Sequence, residues 1–165
     1  MSELATATRL PEPKEVRDLL IGLLDRPIDL TIADRLALQP GERATYAVYV
    51  DDRLGIRAVA VADLPFSGYA GGALGLLPPG GVQDNVHESE LTTSLEENFY
   101  EVLNISAALM NSEHSPHVKL HAVYTTSEVA PPHVVAMSHM MGRRLDLALT
   151  IGGYGRGRFS VVVIA

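Results

Sequence analysis

Asn98-Phe99-Tyr100-Glu101-Val102-Leu103-Asn104-Ile105-Ser106-Ala107-Ala108-Leu109-Met110-Asn111 is the stretch whose reading decides the fold. With Leu95 just before it, the apolar residues Leu95, Phe99, Val102 and Leu109 recur at the spacing of one buried helix face. Ser94 followed three residues later by Glu97 has the form of a capping box. The spacing therefore predicts a helix that starts there and ends near Ser112. A second set, Glu97, Glu101, Asn104, Ala108 and Asn111, recurs with the same steps and shares a different face. Glu97 and Glu101 place like charges one turn apart, which costs about 0.2–0.5 kcal/mol in an isolated helix. Ala107 and Ala108 leave the Asn104 amide uncrowded. On spacing alone, this second stripe reads as a solvated surface.

The chain has 165 residues, enough for one domain with a real core. Hydrophobic content of 47% with 20% charged residues excludes a disordered polymer. A net charge of −7 disfavours nucleic acid as a partner, because no basic excess is present to neutralise phosphates. Arg143-Arg144 and Arg156-x-Arg158 are the basic pairs from which a local patch could be built. Cysteine is absent, which rules out a disulfide frame, a thiol nucleophile and a thiolate metal site. The first residues show no basic-then-apolar leader, and no apolar run approaches the roughly 20 residues that span a bilayer. The expectation is a soluble cytoplasmic protein with no membrane partner.

Outward from the central helix, residues 1–10 lack periodicity and read as a flexible tail, leaving 11–165 as one domain. Pro11 and Pro13 introduce a helix to about Asp25 with Val16, Leu19, Leu20, Leu23 and Leu24 on its buried face. Arg26-Pro27 stops it. Ile28, Leu30 and Ile32 alternate with polar residues as in a short strand. Thr45 to Val50 and Ile56 to Ala62 read as strands joined by the hairpin residues Asp51-Asp52-Arg53-Leu54-Gly55. Leu64-Pro65 opens a helix that ends before Pro78-Pro79, and Gly68, Gly71, Gly72 and Gly75 give it a flat strip. At about 1 kcal/mol each relative to alanine, these glycines make it a poor autonomous helix. Residues Gly80 to Leu91 read as a polar loop.

After the central helix, Val118–Tyr124, His133–Met140, Arg144–Ile151 and Arg158–Ile164 read as strands. The glycine string Gly152-Gly153-Tyr154-Gly155-Arg156-Gly157 leads into a strand rather than a helix start, so it is a hairpin turn and not a phosphate cradle. Glu15-Val16-Arg17-Asp18 in the first helix echoes Glu101-Val102-Leu103-Asn104 in outline, and strand-like runs follow each. An α-β-β-β unit used twice, with the glycine-rich helix between the copies, accounts for this order. The fold class is α+β: duplicated α-β units, with two long helices and a short glycine-rich one packed on antiparallel sheet.

Glu101-x-x-Asn104 with Ile105-Ser106-Ala107-Ala108, then a strand and Pro131-Pro132-His133-Val134-Val135, resembles the CheC/CheX/FliY family of chemotaxis phosphatases. The resemblance implies a CheC-like fold and, since Asp18 stands where a second centre needs Asn, a CheX-like single centre. It implies hydrolysis of the aspartyl phosphate on a response-regulator receiver domain such as CheY. Glu101 would dock the partner and Asn104 would orient the attacking water. Glu97, Ala108 and Asn111 would touch the partner. No cofactor of the chain's own is implied, because the receiver domain would carry the Mg ion. Two departures stand out: Glu97 where many members have a shorter Asp or Ser, and a long stretch between Asn104 and Pro131.

Two other readings compete. The same fold could serve as a catalytically inactive binding or dimerisation module in two-component signalling, with a homodimer favoured by exposed edge strands. Alternatively, His114, His117 and His121, with His133 and His139, could supply nitrogen ligands to a metal. No His-Glu-x-x-His helix and no Gly-x-Ser-x-Gly elbow supports a metalloprotease or serine-hydrolase reading. Ser67 and Ser160 are read as structural.

Overall fold

Proline at the first helical position gives up an N–H that has no partner there anyway, and Pro13 opens α1 (Pro13–Leu24) in this way. Val16, Leu20 and Leu24 are buried along α1, and Asp25 ends it in a left-handed conformation, φ 52°. The computed structural model describes residues 7–165. Alternation then produces β1 (Ile28–Ile32), β2 (Ala44–Val50) and β3 (Ile56–Asp63), with β2 and β3 joined by the expected hairpin. The glycine-rich helix is α2 (Leu64–Leu74), capped by Asp63, whose carboxylate accepts from the Phe66 N–H at 2.9 Å. A short helix α3 (Pro79–His87) precedes α4 (Thr93–Ser106). Then come β4 (Lys119–Tyr124), α5 (Pro132–Ser138), β5 (Arg144–Ile151) and β6 (Gly155–Val163).

All six strands form one antiparallel sheet in the order β1-β5-β6-β3-β2-β4. Exchanging β1, β2, β3 with β4, β5, β6 returns the same order read from the other edge. The two α-β-β-β units are thus related by a pseudo-two-fold axis between β3 and β6. Each unit also lends its first strand to the other unit's edge: β1 pairs with β5, and β4 with β2. The duplication expected from the order of elements is present in the topology.

Strand alternation sends side chains to two layers. Ala47, Tyr49, Ala58, Ala60, Ala62, Phe159 and Val161 share a core with α1, α2, α3 and α4. Val48, Val50, Val59 and Val61 face the other way and are covered by Leu36 and by Val134 of α5. Ser67 and Ser160 are structural, as read: Ser67 bonds Thr45 and the Asp63 carbonyl, and Ser160 bonds Asp146.

Four expectations are corrected. Gly80 to Leu91 is not a polar loop, since α3 buries Val82 and Val86, one turn apart, against Gly72 and Gly68 of α2. His133–Met140 is not a strand but mostly α5, started by Pro131-Pro132. The tail reading fails for residues 7–10: the Thr8 N–H donates to the Ala165 carbonyl at 3.1 Å and Arg9 bridges Glu15. Residues 1–6 of that tail lie outside the described residues. Finally, Arg144 is no surface cation, because its side chain is only 7% exposed and is spent on Asp146. Among the described residues, no helix is long and apolar enough to cross a membrane.

Candidate functional site

The helix α4 starts two residues before the expected box. Thr92 is the N-cap, in extended conformation, and its hydroxyl accepts from the Leu95 N–H at 3.2 Å. Thr92-Thr93-Ser94 offers three cap-forming residues in a row, and only the backbone angles at Thr92 select it. Thr92→Ala is expected to lose about 1 kcal/mol of stability, measured as a shift in the urea midpoint, and Ser94→Ala very little. The α-helix stops at Ser106 and tightens into a 3-10 turn over Ala107–Met110.

The inner face of α4 is fixed at three points, two on α2 and one on the sheet. Leu95, Phe99, Val102 and Leu109 are buried as the spacing predicted, and Leu103 and Met110 join them. The Phe99 ring meets Phe66 of α2 edge-on, with centroids 5.7 Å apart. Toward α2, the Asn98 amide donates to the Gly71 carbonyl at 3.0 Å. From the sheet below, the Tyr49 hydroxyl donates to the Leu103 carbonyl at 2.6 Å. Burial pushes the Tyr49 phenol well above its usual range, so it stays a neutral donor. The turn that carries Asn104 is therefore held at its neighbouring carbonyl.

The outer face is free. Glu97, Glu101, Asn104 and Ala108 are all exposed. Among the described residues, the side chains of Glu97, Glu101 and Asn104 have no hydrogen bond or ion-pair partner. Asn111 does not belong with them. Its amide donates to the Val118 carbonyl at 3.1 Å and accepts from the Val118 N–H at 2.8 Å, clamping the chain that leads into β4. Of the residues expected to touch a partner, Asn111 thus has both ends of its amide engaged inside the fold, whereas the Glu97 carboxylate is free.

At the N-terminal part of α4 lies a depression of about 320 Å³, lined by Thr93, Glu96, Glu97, Tyr100 and Thr125. Tyr100 is 45% exposed. Sequence reading passed over Tyr100 and Thr125. The signal for Tyr100 was an aromatic one step off the buried spacing; Thr125, on the chain after β4, left none.

The equivalent positions on α1 are occupied from within. Glu15 takes Arg9 at 2.6 Å and the Glu12 N–H at 2.9 Å, and the Arg9 hydrogen bond holds its carboxyl below the ordinary range. Asp18 pairs with Lys14 at 2.7 Å, which lowers its pKa as well. An acid and an amide with free valences occur on α4 and not at the echo on α1.

The histidines stay dispersed. His117 lies 3.8 Å from Asp52, and His114, His121 and His133 are exposed. Among the described residues, no three of His, Cys, Asp or Glu converge as metal ligands.

No protein-family model matches the chain, and no curated protein matches it. Solved structures do. FliM from H. pylori, in complex with SpeE, is 9% identical with a TM-score of 0.59, covering 92% of this chain and 80% of that one. The FliM middle domain from Vibrio alginolyticus is 12% identical with a TM-score of 0.58, covering 92% and 87%. The CheX–CheY–BeF3–Mg complex from Borrelia burgdorferi is 8% identical with a TM-score of 0.51, covering 95% and 100%. The chain has the α+β fold shared by CheX and the FliM middle domain, which is the fold that the resemblance implied.

Proposed function

We propose that this chain is a cytoplasmic phosphatase that removes the aspartyl phosphate of a response-regulator receiver domain. The observation that carries the reading is the unengaged pair Glu101 and Asn104, one turn apart on the exposed face of a helix pinned from beneath. It is supported by the fold shared with CheX, which has been crystallised with CheY, BeF3 and Mg.

The chemistry follows from what each group can do. An amide does not titrate near neutral pH, so Asn104 is not a general base; it can accept from a water and donate to a phosphoryl oxygen at once. It holds the water in line with the phosphorus. The water oxygen attacks, the bond to the aspartate oxygen breaks, the aspartate leaves as carboxylate, and the water proton passes to the phosphate. Positioning and charge stabilisation are most of what phosphoryl transfer asks of a protein. The metal ion belongs to the receiver and neutralises phosphoryl charge there. Glu101 pairs with a lysine of the receiver and fixes the register of α4 on its active surface.

A second reading is favoured by the FliM likeness: the same fold, one example of it crystallised in complex with SpeE, can serve binding without catalysis. The chain would then associate with its partner, or with a second copy through an exposed sheet edge, and change no rate.

Receiver domains from the same genome, phosphorylated with a small-molecule donor and mixed with the purified chain, decide between them. Faster loss of phosphate is expected with at least one receiver, and Asn104→Ala should slow it by about 10²-fold. Unchanged loss with every receiver, or full activity in Asn104→Ala, overturns the hydrolysis reading. Measurable association with unchanged rates establishes the binding module instead.

A further inference from the structure

We infer that the depression lined by Glu97 and Tyr100 is a specificity pocket for an arginine side chain of the partner protein; this rests on α4 being the helix that docks the partner. The pocket lies one turn before the Glu101–Asn104 pair, so a partner reaching Asn104 covers it.

Its walls are built rather than accidental. Ser127 donates to Glu96 at 3.1 Å, tying the chain after β4 to α4. Glu128 accepts from both the N–H and the hydroxyl of Thr125, at 3.1 and 3.0 Å, which holds the Thr125 wall in place. Tyr100, 45% exposed, also lines the depression, on the open side of a helix whose other aromatic, Phe99, is buried.

Glu96 accepts from Ser127 and shares a neighbouring depression with Arg43, while Glu97 and Glu101 have no ion-pair partner among the described residues. From Ala58 to Val118 the sequence contains no lysine or arginine. The N-terminus of α4 offsets Glu96, in its first turn, but that field has faded at Glu101. Glu97 and Glu101 are therefore the carboxylates of this face left for a cation from outside.

The pocket selects which cation. A lysine is a compact, strongly hydrated charge and is satisfied by a single exposed carboxylate such as Glu101. A guanidinium is planar and weakly hydrated; it can lie against the Tyr100 ring while its edges donate to Glu96 and Glu97. A lining of one tyrosine ring, two threonines and two carboxylates suits that shape. Partners with an arginine at this position dock, those with a neutral residue gain nothing from the pocket, and those with an acidic one are repelled.

A blocked tripeptide, acetyl-Gly-Arg-Gly-amide, titrated into the nitrogen-15-labelled full chain and followed by NMR, tests this directly. Saturable shifts are expected at the amides of Glu97, Tyr100 and Thr125. Binding should be at least about fivefold weaker for the lysine peptide and absent for the citrulline peptide, which keeps the shape without the charge. Glu97→Gln combined with Tyr100→Leu, both at exposed positions, should abolish it in a chain whose spectrum remains dispersed. Equal binding of the citrulline peptide, or no localised shift with arginine, overturns the proposal. Asn104→Ala keeps arginine binding under this proposal while losing hydrolysis. Intact arginine binding without any phosphatase activity therefore sinks the hydrolysis reading alone, and activity without arginine binding sinks the pocket alone.

Discussion

Gly71→Ala is expected to cost about 2–3 kcal/mol of stability and to lower any activity that depends on α4. A methyl group on Gly71 would lie 2.4 Å from the Leu95 carbonyl oxygen and 3.4 Å from the Phe99 N–H nitrogen. Both belong to the α4 backbone, which cannot rotate out of the way. The helix must retreat as a body, loosening the Asn98–Gly71 hydrogen bond and the Phe66–Phe99 contact that hold the far side of the Asn104 face. Two neighbours calibrate the effect. At Gly75 the added carbon meets only the Asn98 side-chain nitrogen, 2.3 Å away, so the amide can swing aside and the loss is about 1 kcal/mol. At Gly80, on α3, nothing lies within 4 Å, so alanine there should be neutral or stabilising by up to about 1 kcal/mol. Urea midpoints rank the three variants. If Gly71→Ala melted beside Gly80→Ala, the close approach of α2 and α4 would be wrong.

That contact also explains what the sequence allowed and what it hid. The glycine strip was legible as a surface for close approach, but not what approached it. Gly71 and Gly75 take α4, while Gly68 and Gly72 take α3. The helix α3 was unreadable for the same reason. Its only apolar residues, Val82 and Val86, pack on glycines, so no matching hydrophobic stripe exists, and Gly80-Gly81 mimic a loop. The helix α5 is a seven-residue apolar run, too short for periodicity to separate helix from buried strand. Pro131-Pro132 marked its start, and was read as a separator between strands.

The site was legible as a stripe because its spacing is a property of one helix. Glu97, Glu101, Asn104 and Ala108 needed no tertiary information to share a face. Asn111 was grouped with them on the assumption that the α-helix continued, but the 3-10 turn from Ala107 rotates it inward onto Val118. Tyr100 gained meaning only from Thr125, brought beside it by the chain after β4. The lack of a free acid–amide pair on α1 was partly visible in Asp18. Its physical form, Arg9 on Glu15 and Lys14 on Asp18, depends on an N-terminal segment that sequence alone read as loose.

On the opposite face of the sheet, Arg144→Met should be the most damaging single change away from α4, at about 3–5 kcal/mol. The Arg144 fork donates to both oxygens of Asp146, at 2.8 and 2.9 Å, and to the carbonyls of Ser138 and Met140 at the end of α5. Asp146 also accepts from the Ser160 hydroxyl at 2.6 Å and the Leu36 N–H at 3.2 Å. One pair thus ties α5, β5, β6 and the β1–β2 connection together. Burial works against the charge on Asp146, but Arg144, Ser160 and Leu36 together hold its pKa below the ordinary carboxylate value. A depressed folded pKa means that this stability is present above the unfolded value, about 3.9, and is lost as pH falls through the folded one. Without Arg144 its lowering contributions vanish while burial remains, so the Asp146 pKa is expected to rise and the variant to lose less stability on acidification than the parent chain. Denaturation midpoints at about pH 7.5 and pH 4.5 should show the deficit of Arg144→Met narrowing at the lower pH. Arg144→Met with Asp146→Asn, which removes both charges but leaves a side-chain oxygen for Ser160 and Leu36, should recover part of the loss at neutral pH. A deficit that ignores pH and is deepened by the second substitution would show that Arg144 acts through its α5 carbonyls and not through Asp146.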